Sequence, residues 1–370
     1  MLYLIYLDWS ATTPLCEAAK KAIIEHLDDF GNPSSSHELG RQARVLIEDA
    51  RERIAKCINA EPEEIYFTSG GSEANTWALN NLRVLSSPIE HHSAYARNHF
   101  LEVNSDGIIN VDDLDDAING GGIIGMPDVF SCMLVNNEMG TIQPIEQVLP
   151  IIFGNAIYLH IDAVQAVGHM PVDVKKLKCR SMSMSAHKFG GMKGVGALYL
   201  SKPYNTWISK LINGGKQESG MRGGTENVLG IISMAAALED AIEHMEERNK
   251  HIKHLRDTLL ERLLQIPDSY LNGSLENRVP SNINIRFSGV SGAKLVALCS
   301  LYGIYISSGS ACNEGISEPS HVLKAIGLTD EEALSSIRIT IGYENTEQEI
   351  DEAADIITKL VERVRNEDQL

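Results

Sequence analysis

A chain of 370 residues is long enough for two domains of ordinary size, and 43% hydrophobic against 22% charged residues implies a substantial core. Its 50 acidic and 32 basic residues leave a net charge of −18, which argues against a general nucleic-acid or anionic-membrane surface and confines any bound phosphate to a local site. The six cysteines (Cys16, Cys57, Cys132, Cys179, Cys299, Cys312) are scattered with no C-x-x-C pair, so reduced thiols in a cytoplasm are expected rather than a disulfide scaffold.

In chain order, MLYLIYLDWS is apolar, lacks a basic n-region and meets Asp8 early, so it reads as a buried strand rather than a signal peptide. No apolar run is long enough to span a bilayer. Ala43, Leu46, Ile47, Ala50, Ile54 and Ala55 recur at helical spacing and predict an amphipathic helix over about 40–58. Short apolar runs follow, each ending in small or polar residues: EIYFTSGGSEAN, CMLVNNEMG, AIYLHIDAVQ, RSMSMSAHKFGG and GALYL. Their alternation with helix-like segments predicts a largely parallel sheet with crossover helices. Residues 228 to about 265 predict one long helix or two consecutive ones. NINIRF, GIYISSG, SIRITIG and a charged final helix then predict a smaller α+β unit over about 270–370, which recruits the N-terminal residues.

Four positions carry chemistry. Lys188 in SAHKFGG follows a predicted strand among small residues, where desolvation favours an amine able to form a Schiff base; alone it would read as a surface lysine. Asp162 ends an apolar run three residues before Gln165, at the strand end where open α/β sheets bind ligands, and equally fits a helix N-cap. FTSGGSEAN places a glycine turn and Ser72 between strand and helix, a phosphate cradle that is neither a Walker A motif nor a dinucleotide fingerprint. Cys312 ends SSGSAC, a run of small residues with nothing to bury a thiol, and its plain reading is an inert loop cysteine. His91 and His92 are adjacent and lack a zinc-site spacing, so no metal is expected.

The sequence resembles a known family at LDWSATTP (7–14), GNPSSSH (31–37), FTSGGSEAN (67–75), EHHSA (90–94) and VNNEMGTIQPI (135–145). The resemblance continues at HIDAVQAVG (160–168), SAHKFGG (185–191), MRGGTEN (221–227) and SSGSAC (307–312). In this order they look like the successive signatures of the cysteine desulfurases, fold-type I pyridoxal phosphate enzymes of the class V aminotransferase group. The resemblance implies an α/β fold with a large cofactor-binding domain, 15–255, around a mostly parallel seven-stranded sheet. A small α+β domain would combine 1–14 with 256–370.

Roles follow at matching positions. Lys188 would be the Schiff-base lysine, Asp162 would pair with the pyridinium nitrogen, and Gln165 would hydrogen-bond the phenolic oxygen. His91 would stack on the ring and assist proton transfers, with His92 as its rival. Gly71, Ser72, Ser185 and His187 would bind the phosphate, and Thr225 would reach it from a second subunit, which implies a homodimer. Asn137 would lie near ring and substrate; Arg338 would hold the substrate carboxylate with help from Asn32. Cys312 would be the nucleophile that takes sulfur from L-cysteine, releasing L-alanine.

The implied protein is a cytoplasmic desulfurase that passes persulfide sulfur to an acceptor or scaffold protein, for iron–sulfur cluster assembly or tRNA thiolation. Neither nucleic acid nor membrane is an implied partner. The rivals are a pyridoxal phosphate lyase or aminotransferase acting on another amino acid, selenocysteine included, and a non-catalytic scaffold that kept the fold. Three positions depart from the family pattern: Met192 replaces a proline, Ser219 an arginine, and Trp9 a smaller or differently polar residue.

Overall fold

The computed structural model describes residues 4–95, 100–119, 126–202, 208–308 and 318–367. Its strands in chain order are β1 (Ile5–Tyr6), β2 (Ile65–Thr68), β3 (Val84–Ser86), β4 (Val129–Met133), β5 (Tyr158–Asp162), β6 (Ser181–Ser185) and β7 (Gly196–Leu200). The C-terminal part adds β8 (Ser269–Leu271), β9 (Asn282–Phe287), β10 (Ile304–Tyr305) and β11 (Ser336–Thr340).

The large sheet has the order β2-β7-β6-β5-β4-β3. β3 to β6 run parallel, while β7 is antiparallel to both neighbours. The expected seven strands are six among the described residues. Beyond β3 the described residues add one parallel bridge, between Ser86 and Phe100, next to residues 96–99, which lie outside the described ones.

Strands covered on both faces read as unbroken buried runs, as β4, β6 and β7 do. β6, SMSMS, uses strand alternation to a second end. Met182 and Met184 join the main apolar cluster, while Ser181, Ser183 and Ser185 take the opposite face.

The expected helix over 40–58 is α2 (Glu38–Cys57), following α1 (Glu17–Glu25). α2 buries Ala43, Ile47, Ala50, Ile54 and Ala55, and its first turn is capped by His37, whose Nδ1 accepts the Gly40 N–H. The next helix, α3 (Gly71–Leu79), follows β2 directly. Residues 228–265 form two helices, Val228–Glu243 and Met245–Leu264, meeting at His244. The first packs into the sheet cluster. The second turns Leu255, Leu259 and Leu263 into a separate apolar cluster with Ile283, Ile285, Ile337, Ile339 and the C-terminal helix Glu347–Glu367.

The C-terminal sheet has the antiparallel order β11-β9-β8. β1 pairs in parallel with β10, and the Thr340 N–H reaches Leu7 O at 2.8 Å. Trp9 then packs between Tyr6 and Tyr343. Its indole lies flat against Gly342, where a Cβ would come within 1.9 Å of the ring, so the bulk at position 9 is matched by the absence of a side chain at 342. Among the described residues no helix is long and apolar enough to cross a membrane.

Candidate active site

β4, β5 and β6 end at Met133, Asp162 and Ser185, and all three line one cleft of about 280 Å³ at the carboxyl end of the sheet. This is where an open α/β sheet leaves room for a ligand. The cleft also brings together Gly71, Ser72, His91, Asn137, Gln165, His187, Lys188 and Arg338. Asn32 and Thr225 lie outside it and are exposed. Asn32 Oδ1 instead accepts the Ser34 N–H at 2.9 Å. Cys312 lies outside the described residues. Ser307, which opens its motif, is described, and exchanges both backbone hydrogen bonds with Arg338 at 3.1 and 2.7 Å.

Asp162 is buried, and its carboxylate is held by two donors: Val164 N–H on Oδ1 at 3.0 Å and Asn75 Nδ2 on Oδ2 at 2.7 Å. The first bond is the capping contact open to an aspartate here; the second is specific to this cleft. Lys188 closes a 3-10 turn, Ala186–Lys188, immediately after β6. Thr13 pins that turn by donating both its N–H and its hydroxyl to His187 O, and His169 Nε2 donates to Lys188 O at 2.8 Å. The Lys188 ammonium donates to the carbonyls of Ser10 at 2.6 Å and Ala11 at 2.9 Å. Gln165 Nε2 also donates to Ser10 O.

The turn between β2 and α3 fits a phosphate. Gly70 has φ +155°, a conformation open to glycine, and no side chain caps α3, so its first N–H groups are left to other acceptors. A Cβ on Gly71 would stand 2.5 Å from Val164 Cγ2, inside the cleft wall. His187 is pushed down to about 4, first by burial and then by Lys188 and Lys193, so near pH 7 it is a neutral hydrogen-bonding group.

Arg338 is almost fully buried; it donates to Asp8 Oδ1 at 2.8 Å and to Asn137 O at 3.0 Å, and its Nε has no partner. Of the two adjacent histidines, His91 lines the cleft, while the His92 ring lies 4.8 Å from that of His321. Glu90, fully buried beside them, is raised to about 8 by burial.

Sequence reasoning missed Asn75, Ser93 and His160, and the two backbone carbonyls that hold Lys188. Asn75 was detectable in principle: it lies four residues after Gly71 and so shares the face of α3 that meets the cleft.

The His160 imidazole is pushed down to about 3 by burial. The unfolded chain would take up this proton near the ordinary histidine value of about 6.5, and the folded chain would not. The folded state is therefore fully favoured above pH 6.5 and loses about 1.4 kcal/mol per pH unit as pH falls toward 3. Denaturant midpoints measured at pH 7 and pH 5 should show a shallower acid loss in His160→Gln than in the parent; identical losses would remove His160 as the cause.

The sequence profile of the family described as Aminotransferase class-V matches residues 5–353. The chain is 42% identical to the cysteine desulfurase IscS of Dictyoglomus turgidum over 98% of this chain and 95% of that protein. It is 40% identical to the cysteine desulfurase IscS of Methanosarcina thermophila, over 98% and 93%. The chain belongs to the cysteine desulfurases of the class-V aminotransferase family. Solved structures agree with that membership. A NifS-like protein superposes with a TM-score of 0.88 at 33% identity, covering 98% of this chain and 100% of that one. A structure titled SspA in complex with cysteine gives 0.78 at 30% identity, covering 92% and 100%.

Against the desulfurase pattern, Met192 is partly buried on the main cluster and its N–H reaches Ser233 Oγ, a turn that stands without proline. Ser219 has φ +55° and follows Glu218 at φ +47°, so two non-glycine residues in succession adopt left-handed backbone. Nothing in the structure explains why serine replaces arginine there.

Proposed function

We propose that this desulfurase family member converts L-cysteine to L-alanine with pyridoxal phosphate as cofactor and Cys312 as sulfur acceptor. The observation that carries the reading is the convergence of Lys188, Asp162, His91 and Arg338 on one cleft beside the uncapped start of α3. When bound, the cofactor would supply an electron sink for bonds at the substrate α-carbon.

Lys188 would hold the cofactor through its amine, at the turn that Thr13 and His169 brace. Asp162, with two donors fixing its carboxylate, would face the ring nitrogen, and Gln165 the phenolic oxygen. Gly71, Ser72, Ser185 and His187 would take the phosphate. His91 would stack on the ring and assist proton transfers. Arg338 would bind the substrate carboxylate; its charge is already oriented by Asp8 and the Asn137 carbonyl. The thiolate of Cys312 would attack the substrate sulfur: the carbon–sulfur bond breaks, a sulfur–sulfur bond forms, and alanine leaves with the proton the thiol gives up. The other cysteines support this choice, since burial raises Cys57 to about 11 and Cys179 and Cys299 to about 12.

The sulfur would pass to an acceptor protein in iron–sulfur cluster assembly, in the cytoplasm. A homodimer would complete the site through Asn32 and Thr225. Support comes from their exposure and from the apolar row Ile24, Leu27 and Phe30 left exposed just before Asn32. We divide the chain into 15–255 and 1–14 with 256–370; Ile252 and Leu255 already face the second apolar cluster, so the division runs within the helix Met245–Leu264.

Alanine and sulfide release from L-cysteine with a thiol reductant tests the reading. Equal amounts from the parent, and none from Cys312→Ala with cofactor colour retained, are expected. A fully active Cys312→Ala would overturn it and point to a lyase or aminotransferase.

A further inference from the structure

Along the wall of the cleft a line of hydrogen bonds runs from β6 to His91 through His160, Asn75 and Ser93. Ser181 Oγ lies 2.8 Å from His160 Nδ1, and His160 Nε2 lies 3.0 Å from Asn75 Oδ1. Asn75 Nδ2 reaches Asp162 Oδ2 at 2.7 Å and Ser93 Oγ at 3.0 Å. Ser93 Oγ is 2.7 Å from His91 Nδ1, which also receives the Ser93 backbone N–H at 3.1 Å.

The direction of each proton follows from Asp162. A carboxylate only accepts, so Asn75 must turn its NH₂ toward Asp162 and its carbonyl toward His160. The carbonyl in turn only accepts, so His160 carries its proton on Nε2 and takes the Ser181 hydroxyl proton on Nδ1. The second Asn75 proton occupies a lone pair of Ser93 Oγ, which leaves the Ser93 hydroxyl proton for His91 Nδ1. A backbone N–H can only donate. His91 Nδ1 is therefore an acceptor from both Ser93 groups, and the neutral ring carries its own proton on Nε2.

We propose that Ser93, oriented by Asn75, is a positioning residue that holds His91 neutral in its Nε2–H form and ties the ring to the carboxylate of Asp162. Protonating Nδ1 would set a new N–H against the Ser93 N–H, so the ring must move before it can become charged. His91 thus meets the cleft as a neutral hydrogen-bond donor.

The other groups around the ring do not choose between its nitrogens. Burial lowers the His91 pKa; Asp162 at the end of β5 opposes that, while His92 beside it, Lys188 after β6 and His321 from the helix His321–Ala325 reinforce it. Glu90 precedes the ring in sequence, with its carboxyl on Ser87 and the Met133 N–H, and Arg338 lines the same cleft. The inference rests on the proposed desulfurase reading only for its catalytic meaning.

The test is nitrogen-15 spectroscopy of the histidine rings in the full chain, before and after addition of pyridoxal phosphate, with His91 assigned by its loss in His91→Gln. The parent should show a protonated Nε2 and a bare Nδ1. Ser93→Ala and Asn75→Ala should raise the midpoint of ring protonation by roughly half to one pH unit and admit the Nδ1–H form. Ser93→Thr keeps the hydroxyl and should keep the parental midpoint, which a merely structural role for the serine would not require. A parent with Nδ1–H, or a Ser93→Ala midpoint equal to the parent's, overturns the proposal. Because the ring is read without turnover, a parent that releases no alanine or sulfide would refute the desulfurase reading and leave this inference to its own result.

Discussion

Replacing Lys188 with alanine is expected to abolish cofactor retention and to lower alanine and sulfide release by roughly 10³-fold or more, because it removes the amine proposed to hold the cofactor. The fold should survive. Lys188 Nζ sits on two backbone carbonyls, Ser10 and Ala11, which can turn to water in the cleft once the ammonium is gone. The turn itself is held independently by Thr13 and His169. Visible absorbance and product release measured on the same sample separate the two losses. A variant that keeps its colour and its rate would show that Lys188 is only a structural clip between the N-terminal segment and the sheet.

Arg51→Met should be the most damaging single change for stability, costing about 3–5 kcal/mol, the range for removing one partner of a buried ion pair. Arg51 makes a two-pronged contact with Glu218 at 2.9 Å on each oxygen, donates to Ile65 O at 2.6 Å, and lies over the Phe67 ring. Glu218 is buried too and also accepts the Phe67 N–H. Without the guanidinium this buried carboxylate would lose the cation that pairs with both its oxygens. It would also lose its hold on the left-handed backbone at Glu218 and Ser219, just before MRGGTEN. The denaturant midpoint should fall sharply while the slope stays constant, and the double change Arg51→Met with Glu218→Met should recover most of the loss. A single-variant loss below about 1 kcal/mol would mean the pair is no stronger than a surface contact.

What could be read from the sequence was the part with a period or an order. α2 and the two helices from Val228 to Leu264 follow apolar spacing, and the parallel core follows short buried runs ending in small residues. Asp162 and Lys188 could be named because each stands at or just past the end of such a run, where the sheet opens, while Ser185 was named only by the family resemblance. Two kinds of contact leave no such mark. The carbonyls of Ser10 and Ala11 belong to the backbone, which every residue type shares, and their approach to Lys188 is made by a chain reversal 178 residues away. Asn75, His160 and Ser93 lie on three separate segments, and only the sheet brings them onto one line.

The pairing of β1 with β10 sets the order in which the molecule can be finished. Ile5 and Tyr6 find their partners only when residues 304 and 305 exist, and Leu7 is sealed by Thr340. Until then the stretch carrying Ser10 and Ala11 is held from one side only, by Thr13 on His187 O and by Gln165 on Ser10 O, although the strands that flank Asp162 and Lys188 are complete by Leu200. During synthesis the cleft therefore lacks Arg338 from the completion of β7 at Leu200 until β11 is made. The contact between the earliest and latest strands then fixes, from the C-terminal side, the segment whose carbonyls meet the lysine. A truncated product ending before β11 would therefore carry the lysine without Arg338 and without the hold of Thr340 on Leu7 and Ser10.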